Sequence, residues 1–398
     1  MHEPITRPFR SRCYQYPIRM KRTFTAFLSL LLIATWLFSC DKEETVLAVA
    51  GAGAARPTVK VANDWVNGRA VVVAGARKYE FMVAFGREMP DGAMLEFKEI
   101  PTILPIIMED QDGSRWDVFG YAVSGPRRGQ RLPIVSSYMG YWFAIAGMYP
   151  GAELFEGESP DQSFTPPPAS PGWTVPEEEV FSGSSFDLIP ALDFPGIERY
   201  REKDFLDNEY FLADTALLIG LKLGGKYRLY PHAILDFHEI VNDTIGEEHF
   251  AVSYCPLTGT ATAWNRGLGG QATTFGVSGL LYNSNLIAFD RLTESLWSQM
   301  RQECIGGPVA GFAKDIIPVL ETNWGTWKTL LREPELISFE TGHDYNYDSS
   351  PYSNYACCAQ GSPYPVQYED SRLPSKERVL GVVVDGKAKA YRFSSFDY

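Results

Sequence analysis

Apolar positions along this chain come in short runs, not in long helical stripes. Residues 70–73, 250–254, 273–277, 286–289 and 379–384 are rich in β-branched and aromatic side chains and are bounded by Gly, Pro and Asn, which predicts strands. Residues 141–148 and 326–331 predict short helices stopped by Pro150 and Pro334, and 233–241 predicts a third. The pattern predicts a mainly β protein, a β-rich α+β fold with few short helices.

Two composition breaks organise the chain. Residues 40–55 are polar and then rich in Ala and Gly, as a tether is. Residues 159–179 hold six prolines, which cannot donate to a sheet ladder and stiffen the chain, so they predict a linker. The predicted units are a precursor segment 1–39, the tether 40–55, a first β-rich half 56–158, the linker 159–179 and a second β-rich half 180–398. The halves look related. Without a gap, Gly125-Pro126 aligns with Gly307-Pro308, Gly129 with Gly311, Ile134 with Ile316, Trp142 with Trp324 and Glu153-Leu154 with Glu335-Leu336. A shorter echo sets Gly220, Gly225, Lys226 and Tyr230 against Gly381, Gly386, Lys387 and Tyr391, each reading as a hairpin. An internal duplication is the expectation.

The N-terminal region carries an export signal. Met20-Lys21-Arg22 is a short basic start, residues 24–38 are almost wholly apolar, and Ser39-Cys40 follows. An apolar run of this length is short for a membrane span. Leu37 to Cys40 resembles a bacterial lipobox, which implies cleavage before Cys40 and lipidation of its thiol. Asp41-Lys42-Glu43-Glu44 resembles the signal that sends some bacterial lipoproteins to the cell surface. The expected location is therefore exported, at the outer membrane or cell surface, with a lipid anchor as the membrane partner. Residues 1–19 precede the signal, and Met20 is the expected start.

The formal net charge of -13 and the absence of a Lys/Arg cluster leave no footprint for nucleic acid. With 45% hydrophobic and 14% aromatic residues the chain has material for a large core. Beyond the anchor and the precursor segment, every Cys and His lies in the second half: Cys255, Cys304, Cys357, Cys358, His232, His238, His249 and His343. That asymmetry points to a site there. Cys255 with His238 as base, and Asn242 or Asp243 orienting the ring, would make a nucleophile. Cys255, His238 and His232, with Glu239, would instead suit copper or zinc, although no close metal-ligand spacing is present. Four cysteines in an oxidising compartment also allow disulfides, Cys255 with Cys304 among them. The plain alternative is that Cys255 is a buried small apolar residue at a strand end. Asn283, Asp290, Arg291 and Trp297 place polar and aromatic groups where a ligand could bind, with Asp290 and Arg291 as a candidate ion pair.

Five motifs in order, HEIVND (238–243), YCPLTGT (254–260), FGVSGLLYNSNL (275–286), FDR (289–291) and SLWSQ (295–299), resemble the bacterial and archaeal family catalogued as domain of unknown function 3179. The resemblance covers about residues 200–398 and implies no settled activity, cofactor or ligand. Two readings follow from the residues: a surface binding or scaffold module with a structural Cys255, or an extracytoplasmic thiol- or metal-dependent enzyme using Cys255 and His238.

Overall fold

A computed structural model describes residues 59–160, 165, 167–200, 212–357 and 361–397. The predicted signal, the anchor Cys40, the tether and Cys358 lie outside the described residues. The first half runs β1 (Lys60–Val66), β2 (Arg69–Ala76), β3 (Phe81–Gly86), β4 (Phe97–Lys98), β5 (Ile106–Asp110), β6 (Arg115–Asp117), β7 (Ala122–Ser124), β8 (Ser136–Tyr141), α1 (Trp142–Met148) and β9 (Glu153–Leu154). Short strands β10 (Val180–Ser182), β11 (Leu192–Asp193) and β12 (Ile197–Arg199) follow. The second half begins with β13 (Leu217–Leu223), β14 (Lys226–Pro231), α2 (His232–His238), β15 (Ile240–Ile245), β16 (Glu248–Cys255) and β17 (Thr260–Asn265). It continues through β18 (Gly267–Leu268), β19 (Gln271–Ala272), β20 (Phe275–Tyr282), β21 (Asn285–Asp290), β22 (Leu296–Ser298), β23 (Glu303–Gly306) and β24 (Ile316–Ile317). Then come β25 (Val319–Asn323), α3 (Trp324–Leu330), β26 (Glu335–Ile337), α4 (Ser353–Cys357), the hairpin β27 (Arg378–Val384) and β28 (Lys387–Arg392), and a 3-10 turn at Phe393–Phe396.

The fold is mainly β, as the residue pattern predicts. Four predicted strands lie inside observed ones. The run at 273–277 enters its strand at Phe275, because Thr273 first turns back to donate to the Arg266 carbonyl. The helix predicted at 233–241 stops at His238. Glu239 takes φ 55°, which ends the helix, and Ile240 and Val241 pair with Ser253 and Val252 instead.

Two sheets share one plan. In β26-β14-β13-β25 and in β9-β28-β27-β8 a central hairpin is flanked by an antiparallel strand on one side and a short parallel strand on the other, and the flanking strands are joined by a seven-residue helix. Each helix presses a side chain onto a hairpin glycine. A Cβ on Gly220 would lie 2.3 Å from the Trp327 ring, and one on Gly381 would lie 2.7 Å from Ile145. Only glycine allows that approach.

The hairpin of the second plan comes from the end of the chain, while its flanking strands come from before the Pro-rich stretch. The boundary drawn at 159–179 therefore divides the sequence but not the sheets: β27 pairs with β8 along Arg378–Val383 and Ser136–Tyr141. The halves also plug into one another. Tyr141 N donates to Thr258 O at 2.8 Å, and Asn323 Nδ2 donates to Glu80 Oε2 at 3.0 Å. The largest apolar cluster joins Phe81, Phe85 and Trp116 to Leu218, Leu229 and Trp327, so both halves close one core.

Candidate functional site

The first half serves as an internal control for the second. Asn242, buried on β15, donates from Nδ2 to Phe275 O at 2.8 Å and accepts from Phe275 N at 2.9 Å. Asn63 on β1 does the same to Phe97, at 2.7 Å and 3.0 Å. Asp243 takes Arg228 at 2.7 Å and the Tyr230 hydroxyl at 2.8 Å; Asp64 takes Lys389 at 2.7 Å and the Tyr391 hydroxyl at 2.8 Å. Trp297 Nε1 donates to Asp290 at 2.9 Å, and Trp116 Nε1 to Asp110 at 3.0 Å. A device repeated around strands that carry no Cys or His is a staple of the fold.

These contacts correct several expectations. Asn242 and Asp243 do not orient the His238 ring; they tie strands together. Asp290 does not pair with Arg291. Its carboxylate caps the turn through Leu292 N and Thr293 N as well as Trp297, while Arg291 reaches Asp193 at 3.1 Å. Trp297 is buried on that carboxylate rather than displayed. His238 is not the base for Cys255: Nδ1 meets Pro190 O at 2.7 Å and Nε2 meets the Tyr347 hydroxyl at 2.6 Å, so both ring nitrogens are engaged elsewhere. Cys255 and Cys304 are both free thiols, which removes their pairing. Among the described residues no three of His, Cys, Asp or Glu converge as metal ligands, so Cys255, His238 and His232 form no such set. Asn283 takes φ 50°, accepts from Gln367 N at 2.8 Å and lines a cleft.

What distinguishes the second half emerges by register. Cys255 pairs with Thr260 where Ala76 pairs with Phe81, and Ser253 stands where Ala74 does. Glu321 pairs with Ile219 where Met139 pairs with Leu380. His232 follows its hairpin where Phe393 follows the other. Apolar residues, buried or partly buried, are thus replaced by Cys255, Ser253, Glu321 and His232 at the matching positions, and His232 opens α2.

α2 is almost wholly buried, so its polar side chains point into protein. His232 is fully buried, lies on the Tyr254 ring with 4.1 Å between centroids, and has no hydrogen-bond partner at either nitrogen. Its Nε2 is 3.6 Å from Glu321 Oε1. Glu321 Oε1 accepts from Arg378 Nη2, while Glu321 Oε2 and Arg378 Nε have no partner. Burial pushes His232 down to about 4, so the ring is neutral at pH 7. Burial pushes Asp236 up to about 7, against a Ser350 hydrogen bond. Glu239 is pushed up to about 8 by burial, opposed by the Tyr352 hydroxyl 3.4 Å away and reinforced by the charge of Asp236. Asp236, Glu239, Glu321, Arg378 and Tyr352 are the residues that sequence reasoning left out of its catalytic set.

Cys255 lies beside the acids, not beside a base. Its sulfur is buried 4.0 Å from Ser284 O, and burial followed by the Glu239 charge pushes the thiol up to about 11. A thiolate, the reactive form, is disfavoured there at neutral pH. Next to it lies a fully bonded polar bed. Asn285 Nδ2 reaches Thr258, Thr260 and Gln299 at 3.0, 3.1 and 2.7 Å, and Gln299 Nε2 reaches Ser253 at 3.1 Å. YCPLTGT, YNSNL and SLWSQ meet at this network. It joins β16, β17 and β21 through satisfied bonds, which fixes their register.

A family model described as "Protein of unknown function (DUF3179)" matches residues 186–397. No curated protein and no solved structure matches the chain. The matched region holds α2, the polar bed and the C-terminal hairpin, and the chain belongs to the DUF3179 family.

Proposed function

We propose that this is an exported, lipid-anchored surface protein that binds a ligand rather than turning one over, with Cys255 as a packing thiol. The reading rests on one observation: the Cys255 sulfur is sealed among buried groups, with the acid Glu239 rather than a cation beside it. A nucleophilic thiol needs a base or a cation beside it. The anchor rests on the apolar run and Cys40 of the sequence, and the two halves are read as an internal duplication. Native thiol labelling at pH 7.5 with mass spectrometry tests the thiol. Cys255 is expected to react at least a hundredfold more slowly in the folded protein than in urea. Rapid native labelling with a thiol pKa below 8 would replace this reading with the enzyme. Metabolic labelling with a fatty-acid analogue tests the anchor; Cys40→Ala is expected to abolish incorporation.

A second reading has its own observation. Asp236 and Glu239 are held near 7 and 8, the range suited to general acid and base work at neutral pH. They would then transfer protons, with Cys255 still inert. Difference infrared spectroscopy that finds both carboxyls ionised by pH 5 removes it.

A further inference from the structure

We infer that the cleft between the C-terminal hairpin and the end of α1 is a site for a small zwitterion, an amino acid or dipeptide. This inference rests on the binding reading and gives it a place and a ligand class. The cleft has a volume of about 330 Å³, which falls in the range of small-molecule sites. Tyr149 and Val383 supply apolar wall, and Tyr282, Asn283, Arg301 and Lys387 bring polar groups to it.

Most of those polar groups are already satisfied, and the exceptions set the ligand. Arg301 is locked on Glu303, Nε to Oε1 at 2.7 Å, and Glu303 also takes the Thr174 hydroxyl at 3.2 Å, so that wall carries no free charge. The Tyr282 hydroxyl is shared between the Glu179 carboxylate and the Asn283 amide, and Asn283 is fixed by Gln367 N at 2.8 Å. Two charges remain without an ionic partner among the described residues, Glu179 and Lys387, and they line the same cleft from different elements. A ligand of one sign would meet one of them as a repulsion. A ligand with a carboxylate and an ammonium meets both as ion pairs. Its carboxylate is directed to Lys387 and its ammonium to Glu179, with its side chain against the apolar wall.

The test is isothermal titration of the chain from Lys42 onward with glycyl-tyrosine, its N-acetyl form and its C-terminal amide. Saturable binding is expected for the free dipeptide, with each cap costing about tenfold or more. Glu179→Gln is expected to weaken the free dipeptide but not the N-acetyl form. Lys387→Met is expected to weaken the free dipeptide but not the amide. Capped and free forms binding equally, or a neutral disaccharide such as maltose displacing the dipeptide, would overturn the zwitterion. Dipeptide binding unchanged in both variants would remove the cleft and leave the binding reading intact. No binding of any of these probes overturns the inference, and only a fast-reacting Cys255 would remove the binding reading with it.

Discussion

Asn242 holds the backbone of Phe275 with both ends of its amide, and its Nδ2 also reaches Asp193 at 2.7 Å. It is a rivet between β15 and β20. Removing it leaves the Phe275 N–H and C=O buried without partners. Asn242→Ala is therefore expected to cost about 2–4 kcal/mol. Asn63→Ala is expected to cost a similar amount, because Asn63 makes the same pair of bonds to Phe97. Urea denaturation of both variants checks this. A large loss at Asn242 with none at Asn63 would mean that only the second half depends on the device.

The Arg378–Glu321 contact calls for a different substitution. It crosses between β27 and β25, deep enough that Glu321 is 95% buried. Breaking one side of a buried pair leaves the other charge stranded, whereas replacing both by apolar groups is often neutral. The counterpart positions already hold such a solution: Met139 for Glu321 and Leu217 for Arg378. Glu321→Met alone is expected to lose about 3 kcal/mol. Glu321→Met with Arg378→Leu is expected to recover most of that loss. Denaturation midpoints of the two variants decide it, and a double variant no better than the single would show that His232 also needs the carboxylate.

Cys255 has a similar internal precedent in Ala76. Cys255→Ala leaves only a small space and is expected to cost about 1 kcal/mol. Cys255→Ser is expected to cost more, because it puts a hydroxyl into a buried apolar cluster at a place where Ser284 O is 4.0 Å from the sulfur. Thermal midpoints should rank wild type, alanine and then serine. Serine above alanine would mean that the site is polar and wet.

The strands and helices were legible because local pattern and tertiary structure agree. Four of the six residues 379–384 are valine, the Asp385-Gly386 turn closes the hairpin, and the sheet adds nothing that contradicts them. The closure of the first half by the C-terminal hairpin was not legible, since nothing local in VLGVVVDGKAKAYR names β8 as its neighbour. The site was legible in location and not in roles. Cys255 and His238 are conspicuous as residue types, but the register that turns one toward Glu239 and the other toward Pro190 is a property of the sheet. The duplicated alignment carried more than residue type did. Extended by five residues from Ile134 and Ile316, it sets Met139 against Glu321, an apolar residue against an acid at a buried strand position. It equally sets Leu132 against Lys314, whose ammonium lies 3.3 Å from the centroid of the Trp264 ring. Departures between related halves mark the unusual chemistry, and agreements mark the scaffold.

Those departures give the protein a particular pH dependence. In the folded state Asp236 is raised from 3.8 to about 7 and Glu239 from 4.5 to about 8, so folding holds two protons that the unfolded chain has released. Stability from this pair is present at low pH and is lost as pH rises to 8. His232 and His238 are lowered from 6.5 to about 4, so there the unfolded chain holds the protons and stability rises with pH up to 6.5. Between about pH 4.5 and 6.5 the two pairs oppose each other and nearly cancel. Above 6.5 the histidines fall silent and the acids act. Burial also pushes Lys314 well below its usual range, which opposes the acids with up to one proton, so the acids are read from the difference between wild type and a variant that lacks them. One net proton corresponds to about 1.4 kcal/mol per pH unit. Wild-type denaturant midpoints, taken as a difference from Asp236→Asn with Glu239→Gln so that the histidine and Lys314 contributions cancel, are expected to fall steadily from pH 4.5 to about 8. In Asp236→Asn with Glu239→Gln the acids no longer titrate, so midpoints are expected to rise up to pH 6.5 and not to fall beyond it. A difference between the two profiles that stays level from pH 4.5 to 8 would show that α2 does not hold its carboxyls protonated.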